Sequence, residues 1–322
     1  MLKKISIRKI IVTTSSLIAI FLIYLIPNNN YGLTNKIKEN LEYVNENVLT
    51  SPIYLLNNHD LLARSSIAVS SSETDIESRA KELLEALIIE GSGESKIPNG
   101  FKSIIPSNTQ ILSIKYENDV LKVDFSDSLL EVSKDKEEKV IEAIVYTLTS
   151  IKGVDRIIIY VNGDILSKLP QSKINLPSTL NRDFGINKEY DINSLKNINQ
   201  VTVYYVDEYN DQTYYVPVTK YLNDDREKIQ IIVDELSSTS LYHTDLMSFL
   251  NSNTELLEAS NENDILNLKF NSYIFDDIDE QSILEEVIYT ISLSVSDNYD
   301  VKEVIFTVDD KEIYKSVLKT IE

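Results

Sequence analysis

Residues 109–128 read TQILSIKYENDVLKVDFSDS, and residues 254–273 read TELLEASNENDILNLKFNSY. The two stretches align without a gap at a spacing of 145 residues, and seven of the twenty positions are identical. In each stretch a β-favouring run reaches Glu-Asn-Asp and resumes as alternating apolar and polar residues. Because Asn and Asp tolerate left-handed backbone, this pattern predicts a β-hairpin with an Asn-Asp turn. Its recurrence indicates two copies of one structural unit.

Amphipathic helices are predicted on both sides of each hairpin. Before it, apolar residues at i, i+3, i+4 and i+7 begin at Ala80 and again at Ile229, 149 residues later. After it, IVYTL from Ile144 matches VIYTI from Val287 at a spacing of 143. A last strand, residues 154–161, returns as residues 301–308. Ser133 before an acidic turn and the capping-box pairs Asp224/Glu227 and Asp277/Glu280 predict three helix starts.

These elements predict an α+β fold of two tandem two-layer α/β units, each with the order ββαββαβ. An initial hairpin is clear in the second copy, as VTVYYV from Val201 and TYYVPV from Thr213, and weaker in the first. Two helices on one face of a sheet would bury both apolar stripes. The expected units are residues 51–166 and 200–322. Residues 167–199 are polar and contain two prolines, which is typical of a linker, either flexible or docked as an extended segment.

The first thirty residues are predicted to be a separate membrane segment. Four basic residues precede an uncharged run, residues 10–26, which ends at Pro27 and three asparagines. At about 1.5 Å per residue the run is just long enough to cross a bilayer. The flanking sequence favours an uncleaved anchor over a cleaved signal peptide, with the N-terminus in the cytoplasm. Residues 31–50 are predicted to be a helical stalk, favoured over a short coiled coil.

Composition excludes several classes of function. The 322 residues include no cysteine and two histidines, so disulfides, thiolate metal sites and a three-histidine zinc site are excluded. The chain has 31 basic and 51 acidic residues. Since residues 1–30 hold four basic residues and no acidic one, the remainder has 27 basic residues, 51 acidic residues and a charge of −24. This charge argues against a nucleic-acid partner and favours protein partners, although solubility alone also explains it.

Residues with catalytic or metal-binding chemistry have simpler structural interpretations. Asp124 and Ser126 alternate with apolar core positions, and the second copy does not keep them. The acidic residues at 276–280 lack the spacing of a calcium loop and are typical of a helix start. His59 and His243 lie in polar loops where a solvated side chain is the default. The sequence therefore predicts no catalytic, metal or cofactor residue, and no enzyme.

Tyrosines are concentrated on the first hairpin of the second copy. Outward-facing aromatic side chains on a hairpin are typical of a protein interface, whereas alternation along a strand must bury some of them. The candidate interface residues are Tyr204, Tyr205, Tyr209, Tyr214 and Tyr215.

The combined pattern resembles the tandem GerMN proteins, a sporulation and germination family of the envelope of spore-forming Gram-positive bacteria. The residues that carry the resemblance are structural positions: Pro106, Asp124, Phe125, Ser126, Tyr146, Thr147, Gly153, Val154, Gly163, Pro217, Phe270, Tyr289 and Thr290. The second copy departs from the pattern because Lys269 and Asn271 replace Asp124 and Ser126. Family members are often lipoproteins, and a chain without cysteine implies tethering by the N-terminal helix instead.

The resemblance implies a non-enzymatic, extracytoplasmic assembly module of a sporulation or germination envelope complex. The implied partners are envelope proteins, including components of ring-forming complexes, with self-association left open. The chain would cross the cell membrane once, and in the mother cell its body would face the intermembrane space. The alternative is an envelope ligand-binding module for peptidoglycan or a divalent cation. A hydrolase ranks third, because no pair of candidate catalytic groups is left unexplained.

Overall fold

The structure, a computed structural model, describes residues 49–238 and 246–318. The predicted anchor (residues 1–30), nearly all of the predicted stalk (31–50) and His243 lie outside the described residues. Within those two ranges, every helix is too short or too polar to span a bilayer.

The described elements confirm a mixed α+β fold with two copies of one element order. The first copy consists of β1 (Thr50–Leu56), β2 (Leu62–Ala68), α1 (Ile76–Leu87), β3 (Ile111–Glu117), β4 (Val120–Phe125), α2 (Glu137–Leu148), β5 (Arg156–Val161) and β6 (Asp164–Ile165). After the short strand β7 (Glu189–Asp191), the second consists of β8 (Asn199–Tyr209), β9 (Gln212–Leu222), α3 (Lys228–Ser237), β10 (Leu256–Glu262), β11 (Ile265–Phe270), α4 (Glu285–Asn298), β12 (Glu303–Val308) and β13 (Lys311–Val317). Each copy thus ends in one strand that the sequence did not predict.

The strands form three sheets, and the middle one is shared by both copies. Strands β3–β6 and β10–β13 form two four-stranded sheets in chain order, each with one parallel pair, β4/β5 or β11/β12. The hairpins β1–β2 and β8–β9 instead join through β2 and β9, with β7 beside β9. The prediction of one sheet per unit is therefore only partly right, because the initial hairpins form a common third sheet.

The predicted Asn-Asp turns are confirmed. Both turn residues have positive φ in β3–β4, at Asn118 and Asp119, and in β10–β11, at Asn263 and Asp264. The same two-residue geometry closes β5–β6, β8–β9 and β12–β13. Turns with two left-handed residues match the right-handed twist of antiparallel strands, so these short polar pairs define the register of the hairpins.

We expect Asp211→Gly in the β8–β9 turn to stabilise the chain slightly. Asp211 has φ 62°, a conformation that glycine adopts without steric cost. The gain in the free energy of unfolding should be about 0.5 kcal/mol, since the flexible glycine also stabilises the unfolded chain. Urea denaturation checks the change, and a loss of stability would contradict this account of the turn.

Neither of the two predicted capping boxes forms at the start of a helix. Helix α3 begins without a side-chain cap, and Asp224 instead forms an ion pair with Arg226. Helix α4 begins at Glu285, well after Asp277, whose carboxylate accepts the N–H groups of Asp279 and Glu280 in a separate turn. Capping-box spacing also fits Asx turns, in which a carboxylate accepts nearby N–H groups outside a helix.

The alignment of the second helices at a spacing of 143 residues is also wrong. The side chains of Thr147 on α2 and Ser294 on α4, 147 residues apart, accept the backbone N–H groups of Tyr54 and Tyr204 on the equivalent strands β1 and β8. Tyr289 and Thr290 are therefore not the structural equivalents of Tyr146 and Thr147. The sequence match places them one helical turn away from the equivalent positions.

The segment between the two copies packs against the first. Its apolar side chains Leu169, Leu176, Leu180 and Ile186 are buried in the first core. The buried carboxylate of Glu137 at the start of α2 accepts the N–H groups of residues 171 and 172 at 2.7 and 2.6 Å. Of the two open interpretations, the structure shows the docked extended segment.

Candidate functional site

Two tyrosines from equivalent strands meet where the two copies join. Tyr54 on β1 and Tyr204 on β8 are fully buried, and their hydroxyl oxygens are 2.8 Å apart. The backbone N–H of each bonds to a hydroxyl on the helix behind it, at 3.0 Å to Thr147 and at 2.9 Å to Ser294. The copies therefore meet in a pseudo-symmetric arrangement with a polar centre.

Arg182 from the connecting segment completes this centre. Its guanidinium pairs with the Asp297 carboxylate of α4, and its Nη2 donates to Ser150 Oγ at 2.9 Å. It also lies over the Tyr146 ring, 4.8 Å from the ring centre. Tyr204 donates to Asp297 Oδ2 at 2.9 Å, and burial together with that carboxylate raises the pKa of Tyr204 well above its usual range. One arginine thus connects both copies and the segment between them.

A second polar cluster ties the first hairpin to the second copy. Asp207 Oδ2 accepts from Asn57 Nδ2 at 2.9 Å and from the Tyr214 hydroxyl at 2.6 Å, and His59 Nδ1 lies 3.1 Å away. The Asp207 side chain is 4% exposed and that of His59 is 40% exposed. The expectation that His59 is simply solvated is wrong. Sequence reasoning missed the pair because the partners are 148 residues apart.

Asn187 fills a gap in the shared sheet. Strands β2 and β9 pair directly at one position, Arg64 opposite Tyr215. Two residues along, Pro217 has no N–H to donate, and the Asn187 side chain occupies the space. Its Nδ2 donates to the carbonyls of Leu62 and Pro217, both at 2.8 Å, and its Oδ1 accepts from the Leu62 N–H at 2.9 Å.

On the other side of the Arg64–Tyr215 pair, the two strands enclose an open cleft of about 240 Å³. The cleft is lined by residues 64–66 of β2, residues 209 and 212–215 of the β8–β9 hairpin, and Pro98, Asn99 and Phe101. Phe101 packs edge-on against Tyr214, with ring centres 4.9 Å apart. The cleft therefore combines aromatic side chains with backbone and hydroxyl groups.

The five candidate interface tyrosines fall into a buried group and a partly exposed group. Tyr204 and Tyr205 are 0% and 1% exposed, so their prediction as outward-facing residues is corrected. As neighbours on β8 they point to opposite faces, and both faces are covered: Tyr204 meets Tyr54 of the first copy, and Tyr205 packs in the second core. Tyr209, Tyr214 and Tyr215 are partly exposed and line the cleft. For these three an interface stays a prediction.

The motif positions that carried the resemblance lie in structural roles. Asp124 accepts the Gly163 N–H in the β5–β6 turn, and Ser126 Oγ accepts the N–H of residue 110. Asn271 accepts the N–H of residue 255 in the same way, so the role of Ser126 survives in the second copy despite the changed residue. The core holds Phe125, Tyr146, Val154 and Phe270; turns or loops hold Pro106, Gly153 and Gly163; strand β9 holds Pro217; helices hold Thr147, Tyr289 and Thr290.

Glu142 on α2 is a buried carboxyl beneath the connecting segment. Its side chain is 3% exposed and accepts the Asn187 N–H at 3.0 Å. Lys188 Nζ is 3.7 Å from Glu142 but 2.6 Å from the more exposed Glu138, so one ammonium group serves two carboxylates. Burial therefore raises the pKa of Glu142 to about 7, although Lys188 acts in the opposite direction.

We expect Glu142→Gln to stabilise the chain above pH 7. Because the folded-state pKa of about 7 exceeds the ordinary value of 4.5, the folded chain binds this proton more tightly than the unfolded chain. The contribution of Glu142 to the free energy of unfolding therefore falls as pH rises between these values and is lowest above pH 7. The variant should gain on the order of 2 kcal/mol at pH 8 and almost nothing at pH 4.

Urea denaturation at the two pH values measures this difference. The control Glu138→Gln leaves the buried carboxyl in place, so the dependence on pH should persist. A Glu142→Gln chain that is no more stable than the unmodified chain at pH 8 would contradict the assignment.

Comparison with known proteins matches both copies to one family. Residues 52–167 and 202–314 match the Germane family, described as sporulation and spore germination. The spore germination protein GerM of Bacillus subtilis (strain 168) is 30% identical over 265 residues, which cover 80% of this chain and 71% of that protein.

A solved structure of the tandem GerMN domains of the sporulation protein GerM from Bacillus subtilis is also similar. It superposes with a TM-score of 0.74 at 27% identity, covering 82% of this chain and 92% of that one. The family match spans more than half of the chain, and the order of its two copies agrees with the fold. The chain therefore belongs to the Germane family of sporulation and spore germination proteins.

Proposed function

We propose that the chain is a membrane-anchored, extracytoplasmic and non-enzymatic assembly module of a sporulation or germination envelope complex. One observation supports it best: the two copies expose the same apolar feature. Leu112 on the edge strand β3 and Leu257 on the edge strand β10 sit at a register irregularity and are 48% and 56% exposed. A single exposed leucine is ordinary, but its recurrence at both edges supports a repeated contact surface.

Loss of both leucines tests this proposal. The double variant Leu112→Asp/Leu257→Asp should keep the stability of the unmodified chain and lose its cross-links to envelope proteins in sporulating cells. The matched control is Leu195→Asp, because Leu195 is 89% exposed in the connecting segment, away from both edges. Recovery of only free monomer from unmodified cells, with normal sporulation after deletion of the gene, would overturn the proposal.

The proposed topology has its own test. Because the chain has no cysteine, a single introduced cysteine reports its location without background. A membrane-impermeant maleimide should label Asn193→Cys in intact cells and should label Ser6→Cys only after lysis. Equal labelling of both variants in intact cells would exclude the single-pass arrangement.

The alternative, a module that binds peptidoglycan or a divalent cation, makes a different prediction. The full-length chain would then co-sediment with purified cell wall, or respond to calcium in calorimetry. Among residues 49–238 and 246–318, no group of three or more His, Asp or Glu side chains is arranged to hold a metal ion.

A further inference from the structure

The direction of the backbone groups of β9 follows from its turn. In a hairpin with a two-residue turn, the residues next to the turn exchange both hydrogen bonds, and every second pair after them does the same. In β8–β9 the first such pair is Tyr209 and Gln212. Thr213 and every second residue after it therefore point their N–H and C=O groups away from β8. The bonds of Pro217 and Thr219 to the connecting segment confirm this alternation.

The backbone N–H and C=O groups of strand β2 alternate in direction in the same way. Leu56 exchanges backbone bonds with Lys102, outside the hairpin, so Leu62 opposite it must also point outward. The bonds of Leu62 to Asn187 confirm this. Two and four residues along, Arg64 and Ser66 have the same orientation.

Three pairs of residues with backbone groups that face each other therefore follow one another between β2 and β9, and each pair is bridged in a different way or not at all. At Leu62 and Pro217 the Asn187 carboxamide lies between the strands, and at Arg64 and Tyr215 the strands pair directly. At Ser66 and Thr213 the ladder has ended, and the cleft lies between them. In the described structure, neither residue has a backbone bond across this gap.

We propose that the Ser66–Thr213 gap binds an amide group presented by an extended, basic segment of a partner polypeptide. The other end of the seam shows how such a group fits, because there an extended segment inserts a carboxamide between the same two strands. Glu285 and Glu286 act on Tyr215 at the cleft, and Glu208 and Asp211 are exposed nearby. Arg64 is a cationic side chain among the residues that line the cleft, and these four carboxylates outnumber it, so they favour lysine or arginine on the bound segment. The inference rests on the proposed function, because it gives the assembly module a specific contact for a partner.

A synthetic peptide serves as the probe. The peptide FGINKKYK copies residues 184–191, the segment at the filled end of the seam, with Glu189→Lys and Asp191→Lys to complement the acidic rim. Fluorescence anisotropy with the full-length chain should show saturable binding, weaker for the unmodified, more acidic sequence. Amide exchange at Ser66 and Thr213 should slow when the peptide binds.

A matched pair of variants tests the role of the backbone. Thr213→Pro removes the N–H that points into the gap, and Pro217 shows that β9 accepts proline at an outward position. Thr213→Val keeps the N–H and removes only the hydroxyl. We expect affinity to fall roughly tenfold in the proline variant and to stay unchanged in the valine variant. Circular dichroism should show the same fold in both.

The proposal is overturned if FGINKKYK shows no saturable binding, or if it binds Thr213→Pro as tightly as the unmodified chain. Binding of a soluble peptidoglycan fragment at the same amides, with none of the peptide, would also overturn it. In cells, the unmodified and Thr213→Pro chains could cross-link to the same proteins. That result would overturn the proposed contact at the gap but would not count against the assembly function. An absence of envelope cross-links from the unmodified chain would instead count against the assembly function itself.

Discussion

Replacing Arg182 by methionine should lower the free energy of unfolding by about 3 kcal/mol, because it leaves a buried carboxylate without its cation. The Asp297 side chain is 3% exposed and would retain only its bond from Tyr204. Ser150 Oγ would also lose its donor, and the Tyr146 ring would lose its cation contact. Methionine keeps most of the volume of arginine, so the loss reports mainly on charge and hydrogen bonding.

Denaturation followed by circular dichroism measures the loss, and two further variants define its cause. Arg156 is exposed on β5, so Arg156→Met should change stability by less than about 0.5 kcal/mol. The double variant Arg182→Met/Asp297→Asn should recover part of the loss, because no unpaired charge then stays buried. If the double variant is as unstable as the sum of the two single variants, the two residues do not act as a pair.

The repeat was visible in the sequence wherever a local rule fixes the structure. Asn-Asp turns depend on two adjacent residues, and their backbone conformation follows from residue type alone. The strand at residues 120–125 and its copy at 265–270 alternate with the same phase, so both hairpins and their core phenylalanines were predictable. Comparison of residue types fails at position 126. Ser126 and its counterpart Asn271 are different residues, yet each accepts a hydrogen bond from the equivalent backbone N–H.

The helix alignment failed for a physical reason. A shift of four residues along a helix returns almost the same face to the core, so apolar periodicity cannot tell one register from the next. The matching letters of IVYTL and VIYTI favoured a spacing of 143, whereas the contacts of Thr147 and Ser294 give 147. Only the partner strand decides between the two registers, and that information is not local.

The candidate site was the least predictable part for the same reason. Tyr54 and Tyr204, Asn57 and Asp207, and Arg182 and Asp297 are each more than a hundred residues apart. The tyrosine-rich hairpin was predicted as an interface with a partner protein, whereas its Tyr204 lies where the two copies of this chain join. Alternation and the predicted helices account for burial on one face of β8. They could not show that Tyr204 is buried against the first copy, because that contact is distant in sequence.

The shared sheet predicts that damage to one core weakens both copies. Phe270 on β11 is fully buried in the second core, and its counterpart Phe125 is fully buried in the first. Truncating either to alanine should cost about 3–4 kcal/mol of unfolding free energy. Because Ala63 of the first hairpin packs in the second core and two polar clusters cross the junction, the two copies should unfold in one cooperative transition.

Hydrogen exchange in the Phe270→Ala chain distinguishes this outcome from independent units. We expect the slow amides of β4 in the first copy to lose as much protection as those of β11 in the second, since both would exchange through the same global opening. Phe125→Ala should give the reciprocal result, which makes each variant the control for the other. Independent units would confine the loss to the mutated copy. Equal losses would show that the buried junction couples the two copies into one cooperative unit, so that both contact surfaces are present only when the whole chain is folded.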